Sequence, residues 1–208
     1  LSKQIPLFND PDVGLVFSDS LFFNDKGYER RNYLKKYPLE GNCFGSLLEN
    51  YHLDIETVVL RKSLLDKYKL KFDDRFNLIG DADLFTRVSL YCKIAMVHQV
   101  LAKWRIHEES LTATHSENFI TEKEIMYEKY EKQLIDIIPK FKSEFEYAKN
   151  KNLLLKAFYK WRNANAVVAR SILKSITHLD VKSLLLYIIT FVPYKLIKSF
   201  LPKRLIKL

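Results

Sequence analysis

The chain has 208 residues, with 34 Lys or Arg against 25 Asp or Glu and a formal net charge of +9. A hydrophobic content of 48%, with only 5 Gly and 6 Pro, excludes disordered, collagen-like and low-complexity classes. The two cysteines, Cys43 and Cys92, lie far apart and outside any CxxC pair, which excludes a disulfide framework and a zinc ribbon and fits a reducing, cytosolic compartment. The charge is unevenly placed. Lys149 to Leu208 holds 13 bases and one acid, Asp180, a balance of +12, whereas residues 1–148 hold 21 bases and 24 acids, a balance of −3. A slightly acidic body therefore carries a strongly basic C-terminal third.

In chain order, Asn9-Asp10-Pro11-Asp12 is a turn cluster. It precedes Val13-Gly14-Leu15-Val16-Phe17, an apolar run that predicts a buried strand ending at Asp19. Asn24-Asp25-Lys26-Gly27 signals a turn. Leu53 to Leu60 predicts a strand with Leu53, Ile55, Thr57 and Val59 on one face, and residues 61–68 a short helix. Asp81 to Tyr91 predicts a helix with Leu84, Val88 and Tyr91 on one face. Two strands are expected next, Lys93–Val97 and Val100–Ile106. In the second, Leu101, Lys103, Arg105 and His107 share the face opposite Val100, Ala102, Trp104 and Ile106.

From Ser116 the period becomes helical. Phe119, Met126, Tyr130, Leu134 and Ile137 form one face, ending at Pro139. Residues 142–176 form a second long helical pattern, and residues 181–201 one or two more helices, punctuated by Pro193 and Pro202. The expected organisation is an α/β body over residues 1–115 and a helical, basic extension over 116–208. The longest apolar run, Leu184 to Val192, is too short to cross a bilayer, which needs about 20 residues of helix.

Four motifs carry the chemistry. They are Val13-Gly14-Leu15-Val16-Phe17-Ser18-Asp19, then Glu56 to Lys62, then Phe72-Asp73-Asp74-Arg75-Phe76 leading into Gly80-Asp81-Ala82-Asp83-Leu84-Phe85-Thr86-Arg87, and finally Lys103-Trp104-Arg105-Ile106-His107. In this order and spacing they resemble the C-terminal half of the catalytic domain of family 2 glycosyltransferases, inverting enzymes with the GT-A fold, a Rossmann-like mixed sheet. No single motif is specific; the ordered set carries the resemblance.

The resemblance implies transfer of a sugar from a nucleotide-sugar, a UDP- or dTDP-sugar, to an acceptor hydroxyl on a glycan or lipid-linked saccharide in surface-glycan assembly. It implies Asp81 as the general base. Gly80 stands where the family pattern has another acid, a departure that removes any acceptor contact made there. A carboxylate within hydrogen-bond reach can take the proton that the attacking hydroxyl sheds. Read on its own, Asp81 is also explained as a helix N-cap. Asp83 and Arg87, four apart, read as an ion pair. Arg105 and His107 are candidates to meet the leaving diphosphate, or equally to bond a loop carbonyl. Asp19, at the carboxyl edge of its strand, is a candidate substrate contact or a turn-initiating Asp. Asn50 and Thr57 read as structural.

The resemblance also implies Mg²⁺ or Mn²⁺ on the diphosphate, held by an Asp-x-Asp. Asp10-Pro11-Asp12 has that spelling but reads as a turn, so no metal ligand is assigned. Leu1-Ser2-Lys3-Gln4 resembles the segment just after the family's metal motif, and residue 1 is not Met. The metal- and donor-binding half is therefore expected upstream of residue 1, and this stretch alone is expected to be inactive. Trp104-Arg105 reverses the family's processive Gln-x-x-Arg-Trp ending, which points to single addition.

Residues 181–208 carry six bases and no acid among many apolar residues. They suggest an amphipathic helix on an anionic membrane surface, and so a peripheral protein at the cytoplasmic face; a helix packed on the body is the other reading. The alternative to an enzyme is a basic membrane- or nucleic-acid-binding module. Nucleic acid is disfavoured by the acidic body and by the lack of a recognition motif.

Overall fold

The computed structural model describes residues 1–33, 37–107, 116–176 and 181–198. The chain divides into two compact units, Leu1–Thr114 and His115–Leu208.

The first unit is mixed α/β, built on strand β1 (Val13–Phe23). A parallel partner, β4 (Lys93–Arg105), runs along the whole of β1, from Val13 opposite Lys93 to Phe23 opposite Arg105. Two short strands pair antiparallel with β1: β3 (Val59–Leu60) near its start and β2 (Glu29–Arg31) near its end. Helices α1 (Phe44–Glu49), α2 (Lys62–Tyr68) and α3 (Gly80–Val88) lie between β2 and β4 in sequence. Leu15, Phe17, Leu47, Leu53, Leu84, Phe85, Val88, Ile94 and Met96 form the core of this unit. Burial of both faces of β1 explains why residues 13–17 are apolar without alternation.

Several boundaries differ from expectation, each for a physical reason. β1 continues six residues beyond Phe17, so Asp19 sits in mid-strand rather than at its carboxyl end. The polar stretch Ser18-Asp19-Ser20 stays in the ladder because its side chains are bonded internally. The two strands expected over 93–106 are one strand. Bulges between the Val97 and Ala102 pairings absorb the break in alternation. Leu53–Leu60 is a 3-10 turn, Ile55–Thr57, followed by the two-residue β3; Thr57 Oγ1 donates to the Asp54 carbonyl (2.8 Å), fixing the turn. α3 ends at Val88, short of Tyr91, with Ser89 as its C-cap.

The expected turns stand. Gly27, at φ 79°, closes the Asn24–Tyr28 turn between β1 and β2. Asp10 Oδ1 accepts the Asp12 amide at 2.9 Å in the turn before β1. Gly14 is required by space. A Cβ there would stand 2.6 Å from Cys92 Cβ and 2.8 Å from Leu64 Cδ1. Gly14→Ala is expected to cost about 1–3 kcal/mol by overpacking, read as a lower urea midpoint at unchanged slope.

The second unit is helical: α4 (Ser116–Gln133), α5 (Lys142–Arg162), α6 (Ala166–Lys174), α7 (Val181–Ile189) and α8 (Tyr194–Ile197). Between α4 and α5, Glu117, Glu124 and Glu131 pair with Lys160, Lys156 and Lys149. The descending numbers on α5 show that the two helices run antiparallel. The buried side of α4 is Ile120, Met126, Tyr127 and Tyr130, with Ile120 in place of the expected Phe119. The long helix expected over 142–176 is broken at Asn163–Asn165. There Ala164 takes φ 62° and the Asn165 side chain caps α6 by accepting the Val168 amide. Phe158, Trp161, Leu173 and Ile176 centre the core of this unit. The indole N–H of Trp161 donates to the Val192 carbonyl at 2.9 Å. Among the described residues no helix is long and apolar enough to cross a membrane.

Candidate functional site

Asp81 occupies the first turn of α3, one residue past Gly80. The N-cap is Ile79, so the expected capping role for Asp81 does not hold. Its carboxylate is half-buried and accepts the Tyr51 hydroxyl at 2.8 Å. Burial raises its pKa above the ordinary carboxylate value. The Tyr51 hydroxyl and the amides of Ala82 and Asp81 itself partly offset the rise. Tyr51 in turn is held strongly protonated, first by its own burial and then by the charge of Asp81.

Around this pair lies a cluster of acids. Asp54 accepts from the Ser20 hydroxyl and from Asn32 Nδ2 (2.8 Å). Burial raises its pKa, and the charges of Asp19 and Asp81 add to the rise. Glu56, whose residue is exposed, is raised as well, by partial desolvation first and then by Asp54 and Asp81. The charge of Asp81 thus disfavours ionisation of both Asp54 and Glu56, and that of Asp54 disfavours ionisation of Glu56. The 3-10 turn at Ile55–Thr57 presents Asp54 and Glu56 beside the start of α3.

Asp19 stands at the far side of this cluster, fully buried. Oδ1 accepts the amides of Ser20 (2.9 Å) and Tyr33 (3.2 Å), and Oδ2 accepts both Nε (2.8 Å) and Nη2 of Arg31. With four donors on two oxygens, Asp19 fastens the β2 hairpin to the middle of β1. This geometry gives it a clamping task, in place of the expected position at a ligand-facing strand end. Arg105 closes β4 and pairs with Asp25 in the β1–β2 turn, both side chains being exposed. His107 is exposed, two residues past the strand. Asp81 and Asp19 thus both act on Asp54 by their charge, whereas Arg105 is bonded to a different partner, Asp25.

Tyr51 and Asp54 were not singled out by sequence, and Glu56 only as the first residue of the Glu56–Lys62 motif, without a role of its own. The available signal was two acids, Asp54 and Glu56, inside an otherwise apolar run. His52 belongs to the same neighbourhood. Its Nδ1 meets the Asn50 carbonyl at 3.0 Å and is therefore the protonated nitrogen, leaving Nε2 buried and without a partner among the described residues. Burial lowers the His52 pKa, with the bond to the Asn50 carbonyl partly opposing the shift.

The residues present do not fit the divalent ion that the resemblance implies. Asp12 pairs with Lys93 at 2.8 Å, and Asp10 serves the turn. Asp83 is bound to Arg87, as its spacing predicts. Among the described residues no group of three or more His, Cys, Asp or Glu is placed to hold a metal.

Gly80 has space for a side chain, since a Cβ there would make only ordinary contacts, 3.6 Å to Phe72 and 3.9 Å to Phe76. Tyr51→Phe should remove a hydrogen bond that lowers the Asp81 pKa and so push that pKa further up. The observable is titration of the Asp81 carboxyl carbon by NMR, with its midpoint moving to higher pH; an unmoved midpoint would show that Tyr51 does not position the charge.

No family model matches the chain, and no curated protein or solved structure matches it.

Proposed function

We propose that the chain is the acceptor-side part of an inverting glycosyltransferase, with Asp81 as its general base. The observation that carries this reading is the state of Asp81: a carboxylate oriented by one tyrosine hydroxyl at the start of a helix, half-buried, with its proton affinity raised by burial. A base is more effective as its pKa approaches that of the working solution, provided it remains ionised.

In the proposed step the acceptor oxygen forms a bond to the anomeric carbon of the donor sugar. The bond from that carbon to the nucleoside diphosphate breaks, and the electron pair leaves with the diphosphate. The acceptor proton passes to Asp81. Attack from the face opposite the leaving group inverts the configuration. Asp54 and Glu56 add negative potential near the positive charge that develops on the sugar ring, which favours an oxocarbenium-like transition state. Arg105 and His107 are the proposed donor-side groups. Because the described acids do not fit a divalent ion, no step is routed through one.

The donor is proposed to be a UDP- or dTDP-sugar and the acceptor a glycan or lipid-linked saccharide, with surface-glycan assembly at the cytoplasmic face as the setting. The test is an assay of the whole gene product with these donors and a panel of saccharide acceptors. Release of nucleoside diphosphate together with a product of inverted anomeric configuration is expected. Retention of configuration, or no turnover of any donor, would reject the reading.

A further inference from the structure

Helix α7 is apolar on two sides. Its inner face, Ser183, Leu186, Tyr187 and Thr190, follows i, i+3, i+4, i+7 spacing. Ser183 and Thr190 are buried, and Leu186 and Tyr187 pack on the core of the second unit. The outer face repeats that spacing with Val181 (73% exposed), Leu184 (51%), Leu185 (52%) and Ile188 (57%). It continues through Phe191 (64%) and Val192 (39%) to Leu196 (66%) on α8. Scattered exposed apolar residues need no explanation, but a contiguous stripe of this kind does.

Among the described residues, the charges on and next to α8 are basic; Asp180, which precedes Val181, lies outside them. Lys195 and Lys198 are exposed on and next to α8. Arg170 reaches the end of α7, donating to the Thr190 carbonyl at 2.9 Å with its guanidinium over the Phe191 ring. Residues 181–208 contain no acid, and Lys149 to Leu208 only one. The basic residues expected over 199–208, Lys203, Arg204 and Lys207, lie outside the described residues. A second copy of the chain would bring an equally basic face against this one, whereas an anionic surface would be attracted to it.

We infer that the outer face of α7 and α8 docks in the plane of an anionic lipid bilayer. Val181, Leu184, Leu185, Ile188 and Phe191 enter the boundary between headgroups and acyl chains, and Lys195 and Lys198 meet lipid phosphates. Nine residues of helix span about 14 Å, enough to lie on a bilayer and far short of crossing one. The surface is built without Asp81 and does not depend on the transferase reading.

The test is co-sedimentation of the intact chain with vesicles of phosphatidylcholine plus phosphatidylglycerol, against vesicles of phosphatidylcholine alone. Binding to the anionic vesicles is expected, weakening as salt is raised. Lys195→Gln with Lys198→Gln is expected to weaken it about thirtyfold. Leu184→Gln with Ile188→Gln, both at exposed positions, is expected to weaken it at least tenfold with an unchanged circular dichroism spectrum. Equal binding to neutral vesicles, no binding to either, insensitivity to both double variants, or a concentration-dependent dimer whose formation excludes vesicles would each overturn the proposal.

Discussion

Asp81→Asn is expected to lower sugar transfer by the whole gene product about a hundred- to ten-thousand-fold, with donor binding unchanged and the fold no less stable. The two halves of that expectation have one cause. Burial raises the proton affinity of Asp81, so the folded chain holds the proton more tightly than the unfolded chain does. For such a group, stability is greatest below the ordinary carboxylate range. It falls as pH rises through the raised value and stays lower above it. Asp54 and Glu56 are shifted the same way, chiefly by burial. At neutral pH this cluster therefore opposes folding, and a neutral Asn that still accepts the Tyr51 hydroxyl relieves part of the strain between charges. The checks are initial rates with saturating donor, donor affinity by calorimetry, and the thermal midpoint at pH 7. A midpoint that falls sharply with the rate would show Asp81 to be structural. An unchanged rate would remove it from the mechanism.

Arg87→Leu is expected to have the largest effect on stability, about 3–5 kcal/mol. Asp83 is fully buried and the Arg87 side chain is 12% exposed, with Nη2 against Oδ2 and Nε at 3.1 Å. Arg87 also donates to the Lys71 carbonyl at 2.8 Å, tying the segment before α3 to the helix itself. Removing the guanidinium takes from the buried Asp83 carboxylate the arginine that bonds Oδ2 twice, a greater loss than forfeiting an exposed pair. Urea denaturation reads the loss directly. Adding Asp83→Asn to Arg87→Leu should recover part of it, because the buried negative charge is then gone. A midpoint unmoved by Arg87→Leu would show that groups other than Arg87 compensate Asp83.

The Asp83–Arg87 pair was legible because its spacing alone brings the two side chains together on a helix. The same holds for β1, whose apolar run over residues 13–17 has few other solutions, and for the 61–68 helix. Legibility ended where tertiary bonding overrides local pattern. Ser18-Asp19-Ser20 looks like the end of a strand until Arg31, Tyr33 and Asp54 supply partners from a distance in sequence. Leu53 to Leu60 alternates as a strand does, yet the hydrogen bond from Thr57 to Asp54 winds its centre into a 3-10 turn. That turn decides the candidate site, since it sets Asp54 and Glu56 beside Asp81. No spacing rule connects residues 51–56 with residue 81, so Tyr51 could not have been named in advance. The alternation over residues 93–106 failed for a smaller reason: bulges let one strand change face without ending.

All three partner strands in the first unit pair with β1, and its longest partner lies about eighty positions later in the chain. β1 leaves the ribosome long before β4 exists. Its buried apolar stretch over residues 13–17 has only the short β3, and its far end only the short β2, to pair with in the interval. Closing so long a loop is entropically slow, whereas the helical unit assembles from near neighbours. Pairing of β1 with β4 is therefore expected to be the slow step in forming the body that carries Asp81. Until β4 is made, most of the length of β1 has no strand to pair with.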